Sequence, residues 1–182
     1  MKYLKFIGVI IIISFIQACA SSSIIATEEQ KAKLEQIIND ESFNIESKVA
    51  YPMPSSGMNA VSNLNLLPFG SSANRIDISM TANHIKFLED SIDINLPYYG
   101  ERQLGNGYSN ENGINVQGKP KHVSIDYNES KKRYRIKFEA KNKTESLNFD
   151  ISIYHNLKTS VRINSSDRTS IRFDGNVKMI ED

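Results

Sequence analysis

One cysteine, Cys19, stands in 182 residues, so the chain has no second thiol with which to close an internal disulfide, and its stability has to come from core packing. Histidine is nearly as scarce. His84, His122 and His155 lie far apart, without the close spacing of a local metal motif. Charge of one sign is missing too: 22 basic residues face 21 acidic ones, a balance that points to neither nucleic acid nor an anionic membrane as partner. There is no G-x-S-x-G elbow, and no apolar run reaches the roughly 20 residues that a spanning helix needs. These absences leave a near-neutral chain with no local catalytic, metal or cofactor signature. The expectation is a non-enzymatic protein.

What is present begins with a transport signal. Lys2 and Lys5 precede an apolar run from Phe6 to Ile16, which leads into Ile16-Gln17-Ala18-Cys19. The positive start, the short apolar core and the small residue before the cysteine fit a cleaved signal over residues 1–18 better than a membrane span. The run into Cys19 resembles the bacterial lipobox, with Ile16 where Leu is more usual and an atypical Gln17. The other reading is a secretory peptide with a stray thiol, which an oxidising compartment would make a liability. Cys19 is therefore expected to carry lipid and to hold the protein on a membrane. Cleavage would leave 20 basic residues against 21 acidic ones. A Ser-rich spacer completes residues 19–26, and from Ala20 to Ala26 it reaches only roughly 25 Å at ~3.5 Å per residue.

Residues 27–182 read as a single domain. Thr27 followed by Glu28, Glu29 and Gln30 forms a capping box and predicts a helix to about Asp40, with a narrow apolar stripe of Leu34, Ile37 and Ile38. From Phe43 the period changes to two. Apolar residues alternate with polar ones in Phe43, Ile45, Val49 and Tyr51; in Ile76, Ile78 and Met80; in Ile85 and Phe87; in Ile92, Ile94 and Leu96; and in Ile114 and Val116. The pattern continues in Val123, Ile125 and Tyr127, in Tyr134, Ile136 and Phe138, from Leu147 to Ile153, from Leu157 to Ile163, and in Ile171, Phe173 and Val177. One-sided alternation with short polar turns predicts an all-β, antiparallel meander of about nine strands behind one N-terminal helix. One helix cannot cover such a sheet, so it should curl into a barrel-like form, the favoured reading, or fold into two layers.

Two stretches interrupt the alternation. Pro52 to Asn74 has no charged residue and holds three of the five prolines, yet carries Met53, Met58, Val61, Leu64, Leu66, Leu67 and Phe69. It is read either as a lid on its own core or as a surface for a partner, with Leu66, Leu67 and Phe69 as the contact residues. Gly100 to Gly113 is polar and holds four glycines, a flexible connection on its face. An up-and-down strand count puts these two stretches at opposite ends of the sheet. Between them, Leu96-Pro97-Tyr98-Tyr99-Gly100 has the form of a strand terminator, with Tyr98 and Tyr99 facing opposite ways: a structural clamp, or a recognition corner. The basic run from Lys131 to Lys137 alternates with core residues and reads as a solvated strand face, or else as a docking patch.

The LPYYG run, the Gly-rich loop after it, the meander with Tyr134-Arg135-Ile136, the tip at His155-Asn156 and the closing stretch Asn164 to Gly175 resemble the domain-of-unknown-function 4251 family of Bacteroidetes envelope proteins. The likeness covers roughly Phe43 to Lys178 and departs at the tip, where the family usually has a glycine. It implies a β-rich lipoprotein without an established activity and brings no catalytic residue. Asp90-Ser91-Ile92 is similar to the short O-glycosylation sequon of that phylum, with Ser91 as the acceptor. Surface-exported lipoproteins of the phylum resemble one another in acidic residues directly after the cysteine. Here Ala20-Ser21-Ser22-Ser23 follows, which implies the outer membrane with the domain facing the periplasm. Two functions are expected: a tethered binding or accessory module that meets an envelope protein, or a carrier that holds an apolar ligand inside the curled sheet.

Overall fold

The computed structural model describes residues 26–103, 113–142 and 145–180; the expected signal over residues 1–18, Cys19 and the residues after it to Ile25, and most of the Gly-rich connection lie outside them. Helix α1 (Glu28–Asn39) opens with the expected box: the Gln30 N–H donates to Thr27 Oγ1 at 3.2 Å, and the Thr27 N–H donates to Gln30 Oε1 at 3.0 Å. Leu34, Ile37 and Ile38 are buried, so the narrow stripe is the face that enters the core. Strand β1 (Ser42–Pro52) follows, then a short helix α2 (Ser56–Asn63) that the proline-rich composition had hidden. Ser55 starts it by accepting the Met58 N–H at 3.1 Å.

The remaining strands are β2 (Ile76–Asp77), β3 (His84–Leu88), β4 (Ser91–Pro97), β5 (Gly113–Gly118), β6 (Lys121–Asn128), β7 (Arg133–Asn142), β8 (Glu145–Tyr154), β9 (Lys158–Ser165) and β10 (Ile171–Met179). The order is β5-β4-β3-β1-β10-β9-β8-β7-β6, all antiparallel, with β2 paired only to β1. Eight antiparallel steps separate β5 from β6, so these two run in the same direction, and only Lys119 and Pro120 stand between them. They are two halves of one strand, bent where Pro120 has no N–H to give, that passes from one edge of the sheet to the other. The sheet is a curled half-barrel of ten strands, close to the curled form expected.

Its interior is filled by rings. Phe43 stacks on Phe87 at 4.6 Å between centroids, Phe87 meets Phe138 edge-on at 5.4 Å, and Phe138 stacks on Phe149 at 4.6 Å. Since β3 and β7 lie on opposite limbs of the sheet, the Phe87–Phe138 contact crosses the inside.

Four details of the alternation are corrected. Val49 and Tyr51 do not face the core; Ala50 and Pro52 do, because a bulge between Ser47 and Val49 flips the side-chain parity of β1. Met80 is fully exposed, since the Asp77 carboxylate accepts the Ser79 N–H at 2.9 Å and turns the chain after two strand residues. Leu157, expected in a strand, sits in the β8–β9 turn with φ 62°. Val123, Ile125 and Tyr127 are exposed because β6 is an edge strand. The short β2 also changes the strand count, and the uncharged stretch and the start of the Gly-rich connection emerge at the same end of the sheet, where the Gly57 N–H donates to Glu101 Oε1 at 3.3 Å.

Candidate functional site

That shared end is where the distinctive sequence runs meet. Pro97 closes β4, and Tyr98 turns inward to become half-buried. Its hydroxyl donates to the Thr169 carbonyl at 2.8 Å and lies 2.8 Å from Thr169 Oγ1. The guanidinium of Arg168 sits 5.1 Å over its ring. Arg168 is itself buried, with Nε 2.9 Å from Glu145 Oε1 and Nη1 donating to the Gly113 carbonyl at 2.9 Å. Glu145, equally buried, also accepts from Ser165 Oγ at 2.5 Å. Residues 101–103 pair with 167–169 through Thr169 N–H to the Glu101 carbonyl at 3.0 Å and Gln103 N–H to the Asp167 carbonyl at 2.7 Å. Burial raises the Tyr98 phenol above its ordinary value, keeping it a neutral donor. Gly100 serves close approach, since a Cβ there would lie 2.6 Å from the Tyr98 hydroxyl. Tyr98 is thus a clamp and its polar end is committed internally. Tyr99 is half-buried as well, with burial raising its phenol against the opposing hydrogen bond with Thr81.

Beyond this clamp the uncharged stretch divides. Met58 is buried and Leu67 and Ala73 pack on the core, whereas Leu64 and Leu66 are 68% and 69% exposed and Phe69 is fully exposed. Part of the stretch is therefore packed and part exposed, and Leu67 belongs to the packed part. Leu64, which composition did not single out, joins Leu66 and Phe69 on the surface. Ser91 stands elsewhere, half-buried at the β3–β4 hairpin, its Oγ donating to the Leu88 carbonyl at 3.1 Å.

The histidines remain apart: His84 pairs with Asp93 at 3.2 Å, His122 with Glu139 at 3.2 Å, and His155 Nε2 lies 3.1 Å from the Tyr127 hydroxyl. Among the described residues, no three His, Cys, Asp or Glu side chains converge as metal ligands. Chemically, the shared end offers a rigid polar clamp supporting an apolar projection, a geometry for contact.

A model of the DUF4251 family, a domain of unknown function, matches residues 26–177, which takes in every element from α1 into β10. The chain belongs to that family. No curated protein is similar enough to the DUF4251 chain to be matched to it. The family match agrees with the resemblance carried by the LPYYG run and the order of strands, and it extends that likeness upstream to α1. Within the DUF4251 domain, Tyr98 has its physical role as the post of the clamp. No described helix is long and apolar enough to cross a membrane.

Proposed function

We propose that this DUF4251 protein is a non-enzymatic binding or accessory module of the bacterial cell envelope. Lipidated Cys19 holds it on the outer membrane, facing the periplasm, and an envelope protein is its partner. The observation that carries this reading is the exposure of Leu64, Leu66 and Phe69 on one loop, with Met53 half-exposed at its start, while Met58, Leu67 and Ala73 of the same stretch are packed. Leaving such side chains in water forgoes about 1.5–3 kcal/mol each relative to burial, and a partner supplies that burial. The loop is held in place from below by Met58 and by the Gly57–Glu101 hydrogen bond, so it presents a defined shape.

A carrier of apolar ligands inside the half-barrel is the second reading. It would require Phe87 and Phe138 to part, because their contact spans the space an acyl chain would take.

The test is the Leu66→Ser, Phe69→Ser double variant of the full chain, extracted in detergent beside the parent. Thermal stability should change little, as exposed substitutions usually stay within about 0.5 kcal/mol each, while a polypeptide that co-elutes with the parent is lost. Lipid as the sole co-eluting species, retained by the variant, would move the assignment to the carrier.

A further inference from the structure

Near-neutrality of the whole chain conceals a segregated surface. Side chains directly opposite in an antiparallel sheet share a face, and the register places Lys137 (β7), Asp150 (β8), Arg162 (β9) and Arg172 (β10) in one row on the outside. The row ends on Tyr51 of β1, whose ring lies 4.1 Å from the Arg172 guanidinium. One step along the strands, Arg135 grips Asp150 through Nε at 2.8 Å and Nη2 at 2.5 Å. Lys158 borders a shallow depression of about 340 Å³ shared with Ser160 and Arg172. The single carboxylate of Asp150 is thus faced by three cations, Arg135, Lys137 and Arg162, and Arg172 leans on Asp174 at 3.3 Å. At the other extreme, α1 and the turn after it carry five acids between Glu28 and Glu41 against Lys31 and Lys33.

The opposition of Arg162 and Arg172 is the informative detail. Like charges directly across a ladder repel, and both side chains point outward, so packing does not demand the pair. An anionic partner turns the repulsion into attraction. The cations are spread over β7 to β10, about 14 Å at ~4.8 Å per strand, across a sheet face rather than around one deep cleft. Such an array suits a plane of negative charges that can move laterally to meet it.

We propose that the outer face of β7, β9 and β10 docks on the anionic headgroup plane of a phospholipid bilayer, with Lys137, Lys158, Arg162 and Arg172 as the contact cations. This is independent of the apolar loop, which emerges at an end of the half-barrel rather than on this face.

The experiment is lysine footprinting with an acetylating reagent on the full chain reconstituted into vesicles of phosphatidylcholine alone, or of phosphatidylcholine with about one third phosphatidylglycerol. In the anionic vesicles at low salt, Lys137 and Lys158 should become about fivefold less reactive, with Lys33 on α1 unchanged as internal control. The protection should vanish at about 0.5 M salt, where the screening length is only a few ångströms. Arg162→Glu should abolish it and move the thermal midpoint little, since the attraction gained across from Arg172 is offset by the repulsion gained across from Asp150. Equal lysine reactivity in the two vesicle types overturns the proposal. So does protection by soluble poly-glutamate with none from anionic vesicles, which would assign the face to an acidic polypeptide.

Discussion

Arg168 carries a positive charge inside the protein, and everything around it follows from that. A buried guanidinium needs a counter-charge and acceptors, and Glu145, the Gly113 carbonyl and the face of Tyr98 supply them. Arg168→Ala strands the Glu145 carboxylate and should cost about 3–5 kcal/mol in urea denaturation. Tyr98→Phe deletes only the hydroxyl's bonds to Thr169 and its longer one to the Glu101 carbonyl, and should cost about 1 kcal/mol. The LPYYG run announced a strand stop and an aromatic clamp; what it clamps lies seventy-one residues away at Thr169, which no local pattern could name. Asp150 gives a pH handle at the same scale. The Arg135 hydrogen bond, with Lys137 and Arg162 adding to it, holds its carboxyl below the usual range against the opposing effect of burial. A carboxylate depressed on folding stabilises fully above its unfolded value, near pH 4, and that stabilisation is lost as pH falls through the folded value. The gap in denaturation midpoint between parent and Asp150→Asn should therefore be open at pH 6 and shrink towards pH 2.

Among the elements, β1 shows how one irregularity redirects a strand. Its bulge sits opposite Gly175, where a Cβ would lie 2.0 Å from the Glu46 carbonyl oxygen, so only glycine admits the close approach. Gly175→Ala should destabilise by about 1–3 kcal/mol or more, read from its thermal or urea midpoint, because the backbone of β1 must give way. Without the bulge, Tyr51 would turn inward and leave Arg172 without its ring. A glycine inside a strand pattern is the signal of such an approach, and Gly175 carries it in the sequence; the parity flip it causes in β1 does not show in β1 itself. Helix α1 was legible to its cap because capping is local. Strand β6 was legible as a strand but not as an edge, since the exposure of Val123, Ile125 and Tyr127 depends on what lies beyond them. The loop residues Leu66 and Phe69 could be singled out from the lack of charge around them, whereas the inward turn of Leu67 required the fold.

For the whole molecule, period-two alternation and short turns were enough to indicate an antiparallel, curled sheet, because each hairpin is a local decision. The closing contact is not local. The first long strand pairs with the last, Phe43 opposite Met179, and this ladder joins the β5–β3 limb to the β6–β9 limb. Such long-range pairing carries a high loop-closure cost and makes folding slow relative to a helical bundle. It also sets an order in time. As the chain leaves the ribosome, the β3–β4 hairpin, the β1–β3 pairing and the hairpins of β7–β9 can form early, but the other edge of β1 must wait for β10, the last of these strands to be made. Until Ile171–Met179 arrives, the half-barrel has two loose limbs and no seam, so β10 acts as the fastener that draws them into one sheet.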